Sequence, residues 1–392
     1  MRDKSVNGLL AGALLIYVIF SPALVGTALR NYFVIPLFLM TLVFTKYRKI
    51  AGEKCCLLVL LMLLGWLFFS PLSVFFVEND NVELLSYFEQ FFRVLVLLFS
   101  FVFVISLDGG LDRYVVRNVG AFFVVSSLVL YALSYAFPDV REWVFFLFYN
   151  HSDSDVYFSY MVNRPGLWIG NPNALALVAV LFFVYFLTMK DVGFRLAMMA
   201  GAVFIVLVTQ SRTGMFCMAA VFVLWSFFEG NLKAVIVSFF VFLLISIFSV
   251  WLGFVDFEGL AYRYYSGINL AGRDEIWLQV LASVLDSEAY VFGYFVLPDD
   301  VGAIDSEYFN VFARYGLIGL SSFLGAFFFV LLFSFKRARV SVDMKIGFLL
   351  VAVFLLSSFA SSPLTSLKLS IIFVMLLASS LSAYYVKRGG LV

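Results

Sequence analysis

The chain has 392 residues, 64% of them hydrophobic and 13% charged, with a formal net charge of +1. A soluble domain carries roughly twice that charged fraction. The balance therefore excludes a water-soluble fold, and the near-zero net charge gives no footprint for nucleic acid. One histidine excludes a metal centre built on a histidine cluster, and three cysteines inside apolar runs (Cys55, Cys56 and Cys217) read as packing or lipid-facing residues rather than disulfides or metal ligands.

Apolar runs near 20 residues recur along the chain and predict an all-α, polytopic helical bundle, since helices satisfy their own backbone groups in lipid. The predicted spans are 8–27, 32–45, 56–77, 84–106, 115–137, 172–188, 196–210, 213–228, 234–255, 312–334, 344–361 and 367–386, about twelve in one transmembrane domain over 1–392. The first run is too long for a cleaved signal core and is expected to be retained. Two polar breaks are long, 138–169 and 256–311. Most lysines and arginines fall on alternate connections, among them Lys46, Arg113, Lys190, Lys233, Lys336 and Lys345. The positive-inside rule makes that side cytoplasmic, with both termini there and both long loops outside. In a bacterium this means the inner membrane, with the loops in the periplasm.

The basic residues left on the other side or within spans are nearly all arginines: Arg30, Arg93, Arg141, Arg164, Arg212, Arg263, Arg273 and Arg314, beside Lys368. Guanidinium binds phosphate bidentately where lysine acts as a point charge, so the bias points to an anionic ligand; interfacial anchoring is the plainer reading. Only 16 residues separate Arg195 from Arg212. At about 24 Å they fall short of the roughly 30 Å hydrocarbon core. Arg212 is expected at a hairpin tip beside Gln210, Ser211 and Thr213, either as a functional cation or snorkelling to headgroups. Glu89 and Arg93 are spaced i,i+4 and are expected to pair, as a structural pair or as part of a cavity wall.

The first long loop is rich in Tyr, Phe and Trp, the composition of an interfacial helix or of a sugar-stacking surface, and ends in the turn residues Arg164-Pro165-Gly166 and Asn171-Pro172-Asn173. In the second, Arg273 opens a helical pattern. Its apolar stripe is Ile276, Trp277, Val280, Leu281, Val284 and Leu285, which predicts an amphipathic helix on the outer surface with Trp277 at the interface. Arg273 then sits at a helix N-terminus, where an anion or the first-turn Asp274 and Glu275 complement the dipole. Beyond it lie Asp299, Asp300, Asp305 and Glu307. The first two read as solvated loop charges. The last two are candidates for a general base beside a phosphate clamp, with solvated loop charges the equal alternative.

Ser211-Arg212-Thr213-Gly214, the run Gly272 to Trp277 (GRDEIW), the run Asp305 to Gly319 (DSEYFNVFARYGLIG), and Asn171-Pro172-Asn173 before the sixth span resemble, in order and spacing, the O-antigen ligase and O-antigen polymerase superfamily. The residue-level likeness runs from about 168 to 320. The resemblance implies a GT-C-like bundle with its large periplasmic loop between spans nine and ten. It also implies metal-independent, cofactor-free transfer of a glycan from undecaprenyl diphosphate to an acceptor hydroxyl. The implied partners are lipid-linked oligosaccharide as donor and acceptor, the bilayer and a chain-length regulator. Arg212 and Arg273 match the family arginines that hold the diphosphate. Asp305 or Glu307 is then the expected base, and Arg164, Arg263, Arg314 and Asn173 are secondary candidates. Gly316 and Gly319 fit the ligase pattern, but Asp305 stands where the ligase has histidine. That departure favours polymerase over ligase. A transporter of lipid-linked oligosaccharide or of an anion is the expectation from another class, although the two halves lack the matching broken spans of inverted repeats.

Overall fold

A computed structural model describes residues 2–22, 54–69, 84–106, 111–149, 164–230, 247, 273–285, 289–297 and 304–389. Among them, all regular structure is helical: α1 (Arg2–Phe20), α2 (Lys54–Phe69), α3 (Leu84–Ser106), α4 (Arg113–Ala136), α5 (Pro138–Phe148), a 3-10 turn (Leu167–Ile169), α6 (Pro172–Phe186), α7 (Val192–Val208), α8 (Arg212–Glu229), α9 (Arg273–Leu285), α10 (Ala289–Phe292), α11 (Glu307–Ala338), α12 (Val342–Ser357) and α13 (Leu367–Gly389). The predicted spans 32–45 and, apart from residue 247, 234–255 lie outside the described residues.

Helix α6 is the axis of the bundle and packs against α4, α7, α8, α12 and α13. Its sequence is apolar all round, and every residue from Ala174 to Phe186 is buried. A helix without a polar face must be enclosed by other apolar surface. Its start is set locally. Asn171 accepts hydrogen bonds from the N–H groups of Asn173 (2.9 Å) and Ala174 (3.1 Å), and Pro172 occupies the first turn, where no N–H is needed. Asp112, Asp191 and Ser211 cap α4, α7 and α8 in the same way.

The peripheral helices present apolar side chains outward: Phe122 and Val129 on α4, Phe216 and Val223 on α8, Phe328 and Leu332 on α11 are all about half exposed. Rows of this kind are unfavourable in water and natural in hydrocarbon. Five helices are long and apolar enough to cross a membrane: Ser86–Ser106, Arg113–Ala136, Arg212–Glu229, Glu307–Ala338 and Leu367–Tyr385. The shorter apolar helices α1, α2, α6 and α7 accompany them. The chain is a helical membrane protein. Cys55, Cys56 and Cys217 are buried and form no disulfide among the described residues.

Cross-helix contacts sort the loops into two ends. Arg113 pairs with Asp343 at 3.0 Å and Lys345 with Glu229 at 2.5 Å at the end bearing the lysines. The connections 164–171, 209–211 and 358–366 gather at the other. Lys368 joins two elements there, donating to the carbonyls of Ile19 (3.3 Å) and Trp168 (2.6 Å). It is buried and held by these backbone carbonyls.

The long loops hold more helix than their composition suggests. Residues 138–148 form α5, with Pro138 in its first turn. The predicted span 312–334 is the middle of α11, which starts already at Glu307, inside the predicted loop. Helix α9 begins at Arg273 as predicted, and much of its stripe is covered by protein. Val280 and Val284 are buried against Ile304, Phe312 and Ala313, Trp277 stacks on Phe309 with centroids 5.1 Å apart, and Leu285 is exposed. Apolar surface offered by α11 covers the stripe, removing it from water as lipid would have done.

Candidate functional site

Helix α11 begins at the lysine-poor end, docked on the end of α12. The Glu307 N–H donates to the carbonyls of Ser358 (2.9 Å) and Ser361 (3.2 Å), and the Ser306 hydroxyl donates to Ser358 O (3.1 Å). Unpaired amides of one helix thus meet unpaired carbonyls of another, and the opposed dipole ends attract.

The Glu307 side chain is fully buried. Its Oε1 accepts from Asn310 Nδ2 (2.9 Å) and its Oε2 from the Leu364 N–H (2.7 Å). Asn310 Oδ1 accepts in turn from Arg314 Nε (2.9 Å), whose Nη1 donates to Phe295 O (3.2 Å). Residues 307, 310 and 314 follow helical spacing, so one face of α11 carries carboxylate, amide and guanidinium in a row. Helix α3 supplies the facing wall. Arg93 donates to Thr365 O (3.2 Å) and stands 3.8 Å from Glu89, the predicted i,i+4 pair. Gln90 donates to the Tyr315 hydroxyl (2.8 Å), and Tyr315 stacks on Trp66 of α2 with centroids 4.6 Å apart. These groups enclose a cavity of about 20 Å³. That is room for about one water.

Glycine makes this arrangement possible. Gly316 adopts φ 61°, ψ −163°, and interrupts α11. The freed carbonyls of Ala313 and Arg314 accept from the N–H groups of Tyr294 (2.8 Å) and Phe295 (2.7 Å). A Cβ at Gly316 would stand 2.3 Å from Val291 O, and one at Gly319 would stand 2.0 Å from the Tyr315 Cβ. The positive φ and the close approach both require glycine. The Gly316–Gly319 pair is therefore the device that turns Tyr315 toward Trp66 and Gln90.

A second cluster shares this end. Arg164 donates to Thr209 O (3.1 Å) and to Asn173 Oδ1 (3.1 Å), uniting two residues singled out separately in the sequence. Arg212 is exposed in the first turn of α8, after the N-cap Ser211, whose Oγ accepts from Gly214 N (3.1 Å). Gly214 lets α8 approach α6, since a Cβ there would lie 2.6 Å from Ala176 Cβ. The connection 358–368 links the clusters: Leu364 reaches Glu307, Thr365 reaches Arg93, and Lys368 reaches the 164–171 segment at Trp168.

The sequence candidates thus divide. Glu307 with Arg314, and Arg164 with Asn173, are brought together. Asp305 is exposed two residues before α11, where Ser362 Oγ donates to the Ile304 carbonyl (2.5 Å). The Arg273 backbone opens α9, while its side chain, Arg263, Asp299 and Asp300 lie outside the described part of the structure. Gln90, Asn310, Tyr315 and the Ser/Thr-rich connection 357–366 were not singled out from sequence. Asn310 had a signal: a polar residue three positions after Glu307 and four before Arg314. Gln90 had one too, lying between Glu89 and Arg93.

From Tyr308, next to Glu307, an apolar groove of about 910 Å³ runs between α8, α11 and α12, walled by Phe216, Val223, Leu324, Phe328 and Leu356. No protein-family model matches the chain, and no curated protein matches it.

Proposed function

We propose that this chain is a bacterial inner-membrane glycosyltransferase of the O-antigen polymerase kind. It would move a growing glycan from undecaprenyl diphosphate to a lipid-linked repeat unit, without metal or cofactor. In this reading the bundle has about twelve spans and a GT-C-like plan, both termini are cytoplasmic, and the lysine-poor end faces the periplasm. One observation carries the reading. The helix that bears Gly316 and Gly319 of the family-like run also bears the Glu307–Asn310–Arg314 row, built against Arg93 at one end of a membrane bundle. The apolar groove beside Tyr308 adds support, since its chemistry suits a polyprenyl tail.

In this reading the reaction is an inverting glycosyl transfer. The acceptor hydroxyl oxygen attacks the anomeric carbon, the bond to the diphosphate breaks with inversion, and undecaprenyl diphosphate leaves with the electron pair. Arg212 and Arg273 neutralise the charge that grows on the leaving group. The hydroxyl proton passes to Asp305, the exposed carboxylate of the pair. Both oxygens of Glu307 are engaged by N–H donors, so Glu307 positions the start of α11 rather than taking the proton.

The test is purified full-length protein in detergent with synthetic undecaprenyl-diphosphate oligosaccharide as the sole substrate. A ladder of products is expected, and Arg212→Ala, Arg273→Ala and Asp305→Asn should each abolish it while leaving the unfolding temperature unchanged. Wild-type chain length in all three would overturn the assignment of roles. Transfer only after addition of lipid A–core would make the protein a ligase. Translocation in vesicles without any new glycosidic bond would make it a transporter.

A further inference from the structure

At the lysine-bearing end a separate cavity of about 760 Å³ opens between the first turn of α4 and the connection from α6 to α7. Its walls carry Arg113, Arg117, Lys190, Asp112 and Asp191. Three of these charges already have work. Arg113 is paired with Asp343 at 3.0 Å, and Asp112 and Asp191 are N-caps that accept from the N–H groups of Tyr114 (3.1 Å) and Phe194 (3.1 Å). Arg117 and Lys190 differ. Neither makes a hydrogen bond or ion pair among the described residues, and the Arg117 Nε is buried with no acceptor. The Arg117 guanidinium stands 5.6 Å from the centroid of the Tyr114 ring.

The Nε is closed off, but the Arg117 side chain is only partly buried and lines the cavity, where an anion can accept from its Nη nitrogens. The two helix N-termini at the cavity, those of α4 and α7, are already capped by Asp112 and Asp191, so the cations that remain for an anion are Arg117 and Lys190. The cavity also opens beside lipid-facing surface, since Tyr114, Val125 and Val129 share one face of α4 and are each about half exposed. Basic pockets between membrane helices at this level suit phosphate-bearing headgroups.

We propose that this cavity binds the phosphodiester of an anionic phospholipid headgroup. Arg117 grips two phosphate oxygens, Lys190 supplies a point charge, and the acyl chains lie along the outer face of α4. The site lies apart from the glycan-transfer reading and does not depend on it.

The experiment titrates the full-length protein in neutral detergent with phosphatidylglycerol or phosphatidylcholine and counts retained lipid by native mass spectrometry. Wild type should retain phosphatidylglycerol in preference. Lys190→Gln, at an exposed position that folding tolerates, and Arg117→Gln should each lower that preference roughly fivefold. Lys336→Gln, a cation at the same end outside the cavity, should not. Equal retention of the two lipids by wild type, or unchanged preference in the double variant, would overturn the proposal. A parallel arm adds inorganic phosphate to delipidated protein. If phosphate alone raised the unfolding temperature, the double variant lost that response and phosphatidylglycerol gave none, the lipid would be overturned as the source in favour of a soluble anion.

Discussion

At the lysine-bearing end of the bundle, two ion pairs tie separate helices together, Arg113 with Asp343 and Lys345 with Glu229, while Arg195 and Arg337 donate to carbonyls close by in the chain, those of Met189 and Phe333. At the opposite end Arg93, Arg164 and Arg314 donate hydrogen bonds to neutral oxygens, and the Glu89 carboxylate stands off from Arg93 at 3.8 Å. Arg93 donates to Thr365 O, Arg164 to Thr209 O and Asn173, Arg314 to Asn310 and Phe295 O. Buried Glu307 is held by an amide side chain and a backbone N–H, with its nearest hydrogen-bonded cation one residue removed, beyond Asn310. The difference is physical. A carboxylate partner cancels a guanidinium's field, whereas a carbonyl fixes its orientation and leaves the formal charge in place. The first arrangement suits holding helices together. The second suits meeting an incoming anion.

Substitutions at three sites sharpen or break this comparison. The largest effect is expected at Glu307. Glu307→Ala leaves the Asn310 amide and the Leu364 N–H without their acceptor in a closed site, at a cost of about 4 kcal/mol. Glu307→Gln keeps an acceptor oxygen and should lose less than half of that. Thermal unfolding of the full chain in detergent reads both, and equal stability of the two variants would mean that the carboxylate is not held as described. The next effect is at the paired end. Arg113→Leu removes the ion-pair partner of the buried Asp343 and should cost about 3 kcal/mol, while Arg113→Leu combined with Asp343→Leu should recover most of it. A double variant no more stable than the single one would remove the contrast between the two ends. The smallest effect is at Glu89. Its contact with Arg93 is long, at 3.8 Å, and partly exposed, so Glu89→Gln should change stability by no more than about 0.5 kcal/mol. A larger loss would show that Arg93 depends on Glu89 more than on the Thr365 carbonyl.

The site was partly legible. The Glu89–Arg93 pair, the start of α9 at Arg273 and the start of α6 after Asn171 are local matters of helical spacing and capping, readable wherever a short stretch decides the outcome. The stripe of α9 was equally readable as a stripe. What covers it was not, because a row of apolar side chains records only that it leaves water, and Phe309 and Phe312 meet that need as well as lipid does. Glu307 stood out as a carboxylate in the family-like run. Its burial did not, since that depends on Leu364, 57 residues away.

Composition and apolar run length by themselves determined that this chain is a helical membrane protein, because hydrocarbon admits only backbones that satisfy their own hydrogen bonds. Spacing along single helices determined which polar residues share a face. Only the tertiary structure decided which faces meet. Gln90 reaches Tyr315 across 225 residues, and Arg93 reaches Thr365 across 272. It also decided that Gly316 and Gly319 serve a break in α11, since the need for glycine arises from the Val291 carbonyl and the Tyr315 side chain brought against them. Such contacts come from how helices pack, and the order of residues along any one helix leaves that packing open.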